Sequence, residues 1–336
     1  MSLKSSDYRI LDIVWRSVTE LLQNAIGWRY KCTTNKQLDG QVVVITGANT
    51  GIGKETASDL AKRGAKVIIG CRDETRAANA IKDIKSKNPK ADITAFKLDL
   101  SSLKSVREFA QQLNEKYQRI DILINNAGLT INNRKETEDG FEMMFGTNHL
   151  GHFLLTLLIL PLLRKPQRAR VVNVASVAYG LGKIDFDDIH ASNKPYKMLS
   201  VYGQSKLANI LFTREMARRL GTDSSINVYA VHPGCVRTEF ARNLGNLDIV
   251  SKVFWLGFGH VFLINGKSGA QTSLYCAIDE TLDNETGFYY ENCHRNDDLY
   301  SKAKDDETAQ RLWELSAQLV KLEDQYNLAK NPNYLK

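Results

Sequence analysis

The run Val42-Val43-Val44-Ile45-Thr46-Gly47-Ala48-Asn49-Thr50-Gly51-Ile52-Gly53-Lys54 decides how the rest of the chain is read. Val42–Thr46 has the length and β-branched composition of a strand buried on both faces. Glycines 47, 51 and 53 follow at once, and a helical pattern then covers Lys54–Lys62. Glycine at such a turn permits tight backbone conformations and close approach to a pyrophosphate. The start of the next helix offers free N–H groups and a partial positive charge. Gly47, Asn49, Thr50, Gly51, Ile52, Gly53 and Lys54 are therefore candidate cofactor-binding positions. Two phosphate-loop look-alikes fail: Glu55, not Ser or Thr, follows Gly53-Lys54, and Val261 stands where a loop ending Gly266-Lys267-Ser268 needs glycine.

Outward from this turn, short apolar runs alternate with helical stretches. Strands are expected at Val42–Thr46, Lys66–Gly70, Ile93–Lys97, Ile120–Asn125, Arg170–Val174, Ile226–His232 and Gly287–Tyr290. Helices are expected at Lys54–Lys62, Leu103–Tyr117, Gly140–Leu163 and Tyr202–Leu220. This alternation predicts an α/β fold, a doubly wound parallel sheet with helices on both faces. Residues 37–336 would form a single domain. Residues 1–36 would be an N-terminal helical extension, with Ile10, Ile13, Val14, Val18, Leu21, Leu22, Ala25 and Ile26 at helical spacing. That amphipathic stretch either packs on the domain or lies in a membrane interface.

The 336 residues carry a formal net charge of +7, with no concentrated Lys/Arg block, so nucleic acid is not an expected partner. Five scattered cysteines (Cys32, Cys71, Cys235, Cys276, Cys293) and no CxxC argue against a disulfide framework and for a reducing compartment. The pairs Cys293-His294 and His149/His152 lack further ligands at useful spacing, so no metal is expected. The N-terminus shows no secretory signal, and no run of about 18 uncharged apolar residues requires a membrane span.

The second strand ends in Cys71-Arg72. An acidic residue at this strand end favours NAD, whereas a basic one accommodates the 2′-phosphate of NADP. Arg72, with Lys54 as a second positive charge, points to NADP(H). Asp73 is expected to face solvent or cap the next helix.

A Tyr-x-x-x-Lys pair places a phenol and an ammonium one helical turn apart, where the positive charge favours phenolate. The spacing occurs at Tyr179/Lys183, Tyr202/Lys206, Tyr300/Lys304 and Tyr326/Lys330. Gly180 and Gly182 disfavour a helical turn at the first pair. The last two pairs lie beyond the sheet strands. Tyr202 is read as opening a long helix after the fifth strand, the only address that reaches the carboxyl ends of the strands, where ligands bind. Ser176, at the end of that fifth strand, would enter the same cleft, and no Gly-x-Ser-x-Gly surrounds it.

Several motifs occur together and in order: Thr46-Gly47-x-x-x-Gly51-x-Gly53, Asp99-Leu100, Asn125-Asn126-Ala127-Gly128, Asn148, Ser176, Tyr202-x-x-x-Lys206, and Pro233-Gly234 followed by Thr238. The set resembles the short-chain dehydrogenase/reductase superfamily over roughly residues 40–240. The wording Gly-Ala-Asn-Thr-Gly-Ile-Gly-Lys, Cys71-Arg72-Asp73, Thr147-Asn148-His149-Leu150-Gly151-His152-Phe153 and Tyr202-Gly-Gln-Ser-Lys206-Leu-Ala-Asn is closer still to its retinol dehydrogenase-like group. The resemblance implies a Rossmann-like oxidoreductase in which Tyr202 exchanges the proton of an alcohol/carbonyl pair. It implies that Lys206 lowers the Tyr pKa and bonds the nicotinamide ribose. Ser176 would hold the reacting oxygen, and Asn148 a relay water. Asp99 and Leu100 would lie by the adenine, Asn126, Ala127 and Gly128 along the cofactor, and Pro233, Gly234, Val236 and Thr238 by its carboxamide end.

Residues 240–266 form an apolar lid in this reading, which suggests a lipophilic substrate and a place in lipid metabolism. The expected function is NADP(H)-dependent interconversion of such an alcohol with its aldehyde or ketone, retinol/retinal first. Steroid, polyprenol or long-chain aldehyde chemistry on the same scaffold, and a non-catalytic dinucleotide-binding regulator, are the alternatives. The resemblance also implies a homodimer paired through the helices bearing Asn148 and Tyr202. A peripheral membrane-associated location, on the cytoplasmic side of endoplasmic reticulum or lipid droplet, completes the expectations.

Overall fold

The computed structural model describes residues 30–221, 225–234 and 265–328. Most of the N-terminal extension, Cys235, Val236, Thr238, nearly all of the lid and Lys330 lie outside the described residues.

The chain alternates as β1 (Val42–Thr46), α1 (Gly51–Lys62), β2 (Lys66–Cys71), α2 (Glu74–Lys87), β3 (Ile93–Lys97), α3 (Leu103–Lys116) and β4 (Ile122–Asn125). The second half runs α4 (Met143–Phe145), a π-helical turn (Gly146–Leu150), α5 (Gly151–Leu158), α6 (Leu160–Leu163), β5 (Ala169–Val174), α7 (Met198–Leu220), β6 (Ile226–His232), α8 (Gly266–Ile278), β7 (Phe288–Glu291), β8 (His294–Arg295) and α9 (Asp306–Leu319). The sheet order is β3-β2-β1-β4-β5-β6-β7-β8, parallel throughout except for β8. Strand order reverses between β1 and β4, so their carboxyl ends open the crevice in which such sheets bind ligands. Both faces are covered. One core layer joins the sheet to α3, α5, α7 and α9, and a second joins it to α1, α2 and α8.

Several expected boundaries move for local reasons. The helix expected from Gly140 starts at Met143, because Gly140 adopts φ +82 and the buried Glu142 carboxylate caps the Met144 and Phe145 N–H groups. It is then interrupted by the π turn and by Pro161, which cannot donate a helical hydrogen bond. α7 begins at Met198, so Tyr202 stands one turn inside the helix instead of opening it. Val177–Leu181 forms a short 3-10 helix where glycines argued against a helical turn; Gly182 falls just outside it as the C-cap.

α9 lies against the helices through which pairing was expected. α9 packs on α7, and Trp313 stacks edge-on to Phe153 of α5 at 5.1 Å and lies 5.7 Å from Phe212 of α7. Every residue of α5 is buried within the single chain.

Candidate active site

Each strand of the parallel sheet delivers its carboxyl end to one edge. β1 delivers the glycine turn, β2 Arg72, β3 Asp99, β4 the Asn126–Gly128 turn, β5 Ser176, and β6 Pro233-Gly234.

The glycine turn is built on contacts that no side chain could survive. Gly47 has φ +68, and a Cβ there would lie 2.9 Å from the Ala127 backbone. At Gly53 a Cβ would stand 2.5 Å from Asn126 Nδ2. Asn126 uses that amide to donate to the Thr46 carbonyl at 2.8 Å. The two turns, from neighbouring strands, thus lie backbone against backbone and are fastened by the Asn126 side chain. Thr50 makes no side-chain capping bond, which leaves the first N–H groups of α1 directed along the helix axis into the crevice. The glycine-lined cradle beneath a helix N-terminus fits a pyrophosphate-bearing cofactor.

The other expected cofactor positions divide. Arg72 is exposed at the end of β2, and among the described residues no carboxylate pairs with it. Asp73 accepts from Arg76 N at 2.9 Å as the cap of α2, as expected, so its carboxylate is engaged. Lys54 does not stand free beside Arg72; its Nζ lies 2.6 Å from Asp83 of α2. Asp99 turns its carboxylate to Ser101, accepting from Oγ at 2.6 Å and from N at 3.0 Å. Leu100 is a core residue, and its carbonyl would stand 2.5 Å from a Cβ at Gly151 of α5. Ile52 also packs against the core, while Asn49 remains partly exposed. Pro233 is buried and Gly234 takes φ +90 at the start of the segment outside the described residues.

Three of the expected catalytic residues, Asn148, Tyr202 and Lys206, are brought together, and Ser176 stands at the end of β5. Lys206 is only 3% exposed. Its Nζ donates to the Val174 carbonyl at 2.9 Å and lies 5.7 Å from the Tyr202 ring centre. A Cβ on Gly128 would sit 3.3 Å from that Nζ and 3.5 Å from Asn148 Oδ1, so the bare backbone of Gly128 is the roof over both. Burial pushes the Lys206 ammonium down to about 8, into the range where it exchanges protons near neutral pH. Asn148, fully buried in the π turn, accepts from Leu129 N at 2.9 Å and donates to Ser205 Oγ at 3.0 Å. Ser205 in turn donates to the Tyr202 carbonyl at 2.8 Å. Ser176 Oγ accepts from Ala178 N at 3.2 Å, an arrangement that keeps its own proton for another acceptor.

Sequence reasoning missed several supports. Gly203, next to Tyr202, brings the 3-10 turn after Ser176 onto α7: a Cβ there would lie 2.5 Å from the Ala178 carbonyl. Ser205 and His152 were also missed. His152 carried two sequence signals, its position one turn after Asn148 and its place in the Thr147–Phe153 wording, and neither names the partners its ring finds.

A doubly wound sheet with a glycine cradle at its switch point and a Tyr202 phenol beside the buried Lys206 defines a dinucleotide-dependent oxidoreductase. The chain belongs to the short chain dehydrogenase family, which matches residues 41–247, and it accordingly binds a nicotinamide dinucleotide. It is 47% identical over 289 residues to retinol dehydrogenase 12 of Mus musculus, spanning 86% of this chain and 89% of that protein. A crystal structure from Mycobacterium Paratuberculosis superposes with a TM-score of 0.70 at 34% identity, over 88% of this chain and 98% of that one. The Pseudomonas aeruginosa RhlG/NADP active-site complex superposes with a TM-score of 0.59 at 27% identity, over 76% and 95%.

Proposed function

We propose that this chain is an NADP(H)-dependent oxidoreductase that interconverts a lipophilic alcohol and its carbonyl form, with retinol and retinal as the substrate pair. The observation that carries the reaction is the buried Lys206 ammonium, roofed by Gly128 and 5.7 Å from the Tyr202 ring. The substrate pair rests on the name of the murine relative.

NADP(H) is supported by Arg72, exposed at the end of β2, and by the engagement of Asp73 as a helix cap. The RhlG structure, which holds NADP, agrees with this reading. Gly47, Asn49, Thr50, Gly51, Ile52 and Gly53 would hold the pyrophosphate, Arg72 the 2′-phosphate and Asp99 the adenine end. Asn126, Ala127 and Gly128 would flank the ribose. When bound, the dinucleotide supplies or takes up the hydride.

The side chains handle the proton. Tyr202 gives its hydroxyl proton to the carbonyl oxygen in reduction and removes it from the alcohol in oxidation. The Lys206 charge favours the phenolate that remains, and its own lowered pKa lets it replace the proton. Ser176, whose lone pair is taken by Ala178 N, donates its hydroxyl to the reacting oxygen and stabilises charge developing there. Asn148 sets the position of Leu129 and Ser205 on either side of this path. The N-terminal segment would make a peripheral membrane contact from the cytoplasmic side, where a lipophilic substrate is concentrated.

The test is NADPH oxidation with all-trans-retinal, compared with NADH and with Tyr202→Phe. Turnover with NADPH that collapses in the variant is the expected result. Activity only on other carbonyl compounds would discard the retinoid. Undiminished turnover by Tyr202→Phe would discard the mechanism.

A further inference from the structure

His152 is buried in α5 and its two ring nitrogens are both engaged. Nδ1 lies 3.0 Å from the Asn148 carbonyl oxygen, and Nε2 lies 2.8 Å from Thr46 Oγ1. A carbonyl can only accept, so Nδ1 carries the proton. The neutral ring then has a bare Nε2, which must accept the Thr46 hydroxyl proton. Burial holds the ring neutral, pushing its pKa down to about 4, and the nearby Lys206 charge acts in the same direction.

The Thr46 hydroxyl is fully used as well. It accepts from Asn126 N and from Ala127 N, each at 2.9 Å, while donating to His152. One imidazole therefore joins three parts of the site: the end of β1, the Asn126–Gly128 turn after β4, and the π turn that carries Asn148. Two of these meet at the proton site: a Cβ on Gly128 would sit 3.3 Å from Lys206 Nζ and 3.5 Å from Asn148 Oδ1. A reversed tautomer or a protonated ring would aim an N–H at a hydroxyl oxygen that already accepts two, and the junction would open.

We propose that His152, as its Nδ1–H tautomer, is a positioning residue for the proton-transfer site: it ties the Asn148 carbonyl to the Thr46 hydroxyl and thereby fixes the roof over Lys206. This rests on the reading of Lys206 and Tyr202 as the proton-handling pair. It does not depend on which carbonyl compound is the substrate.

The geometry separates the two links. In His152→Asn the amide nitrogen stands near the Nδ1 position and keeps the Asn148 link alone. In His152→Gln the amide oxygen reaches the Nε2 position and keeps the Thr46 link alone. His152→Phe keeps the volume and neither link. Displacing reacting groups by about 1 Å costs up to roughly a hundredfold in rate. For His152→Phe, kcat is expected to fall by about tenfold or more, with the substrate KM within about twofold of the parent.

The pH at which the rate of reduction declines should move, because the surroundings of Lys206 have changed. The two single-link variants should recover part of the lost kcat. Thr46→Val combined with His152→Phe should lose less than the product of the two single losses. The enzyme is assayed with whichever carbonyl compound the parent reduces, and the NADPH Kd is measured without any substrate by quenching of protein fluorescence. Failure of the parent to reduce retinal would thus remove the retinoid and leave this comparison intact. A folded His152→Phe with the parent's kcat and pH profile would overturn the proposal. Where that variant does not fold, the same outcome for His152→Asn overturns it, and a lowered kcat with a moved profile sustains it.

Discussion

At the scale of single residues, burial decides chemistry. Lys206 titrates near 8 in the folded chain against an ordinary 10.5, so the unfolded chain binds the extra proton between those values. Stability therefore rises with pH across that window, and at neutral pH the buried ammonium is a cost of up to about 3 kcal/mol. Lys206→Met should raise the thermal midpoint at pH 7 while abolishing turnover, as differential scanning calorimetry and an activity assay would show together. For the working enzyme the sign is the opposite: reduction consumes a proton, so kcat for reduction should fall as pH rises above about 8. Arg72 offers a second check. Arg72→Asp replaces the charge that suits a 2′-phosphate with one that suits a ribose 2′-hydroxyl, and should move the ratio of kcat/KM for NADPH over NADH by about tenfold or more toward NADH. An unmoved ratio would remove Arg72 from the cofactor site.

At the scale of elements, the working groups are set by how closely backbones approach. The 3-10 turn after Ser176 touches α7 at Gly203, with Gly182 on the other side: the Gly182 N would lie 2.6 Å from a Cβ at 203. Gly203→Ala should cost about 1–3 kcal/mol through overpacking. It should also lower kcat, because the wedge separates Ser176 from Tyr202. Urea unfolding and steady-state kinetics on the same preparation would read both effects, and an Ala variant with unchanged kcat would show that this contact does not align the pair. The motif residues themselves were legible in the chain because each belongs to a short local pattern. Their supports were not: Gly203, Ser205 and His152 are defined by partners on other elements. Lys54 shows the reverse case. It looked like a phosphate ligand by its place after the glycine turn, but the packing of α2 supplies Asp83 as a nearer partner.

At the scale of the whole molecule, two buried histidines make stability depend on acid. His149 and His152 are pushed down to about 3 and about 4 from an ordinary 6.5, chiefly by desolvation. Below pH 6.5 the unfolded chain takes up protons that the folded chain refuses. Stability is therefore lost as pH falls toward those folded values, at about 1.4 kcal/mol per pH unit for each histidine. The unfolding midpoint in urea should drop between pH 6 and 4, and His149→Gln should make that drop shallower. Light scattering tests the pairing expected through the helices bearing Asn148 and Tyr202; a mass of one chain across a wide concentration range would remove it. Trp313, packed on both Phe153 and Phe212, anchors α9, and Trp313→Ala should cost about 3–5 kcal/mol.

The sequence by itself determined the doubly wound sheet, the glycine cradle, the Tyr202/Lys206 pair and the family. Strand and helix periods are local, and a motif of fixed spacing carries its own geometry once the element beneath it is known. Asp73 as a helix cap was legible for the same reason. The tertiary structure alone decided that Leu100 faces the core, that Lys54 pairs across to α2, that α9 packs on α7, and that one imidazole, through the Thr46 hydroxyl, joins three segments. Each of these depends on distances between residues far apart in the chain, such as the 106 positions that separate Thr46 from His152. No local pattern encodes such a distance; only the packing of the sheet and its two helical layers sets it.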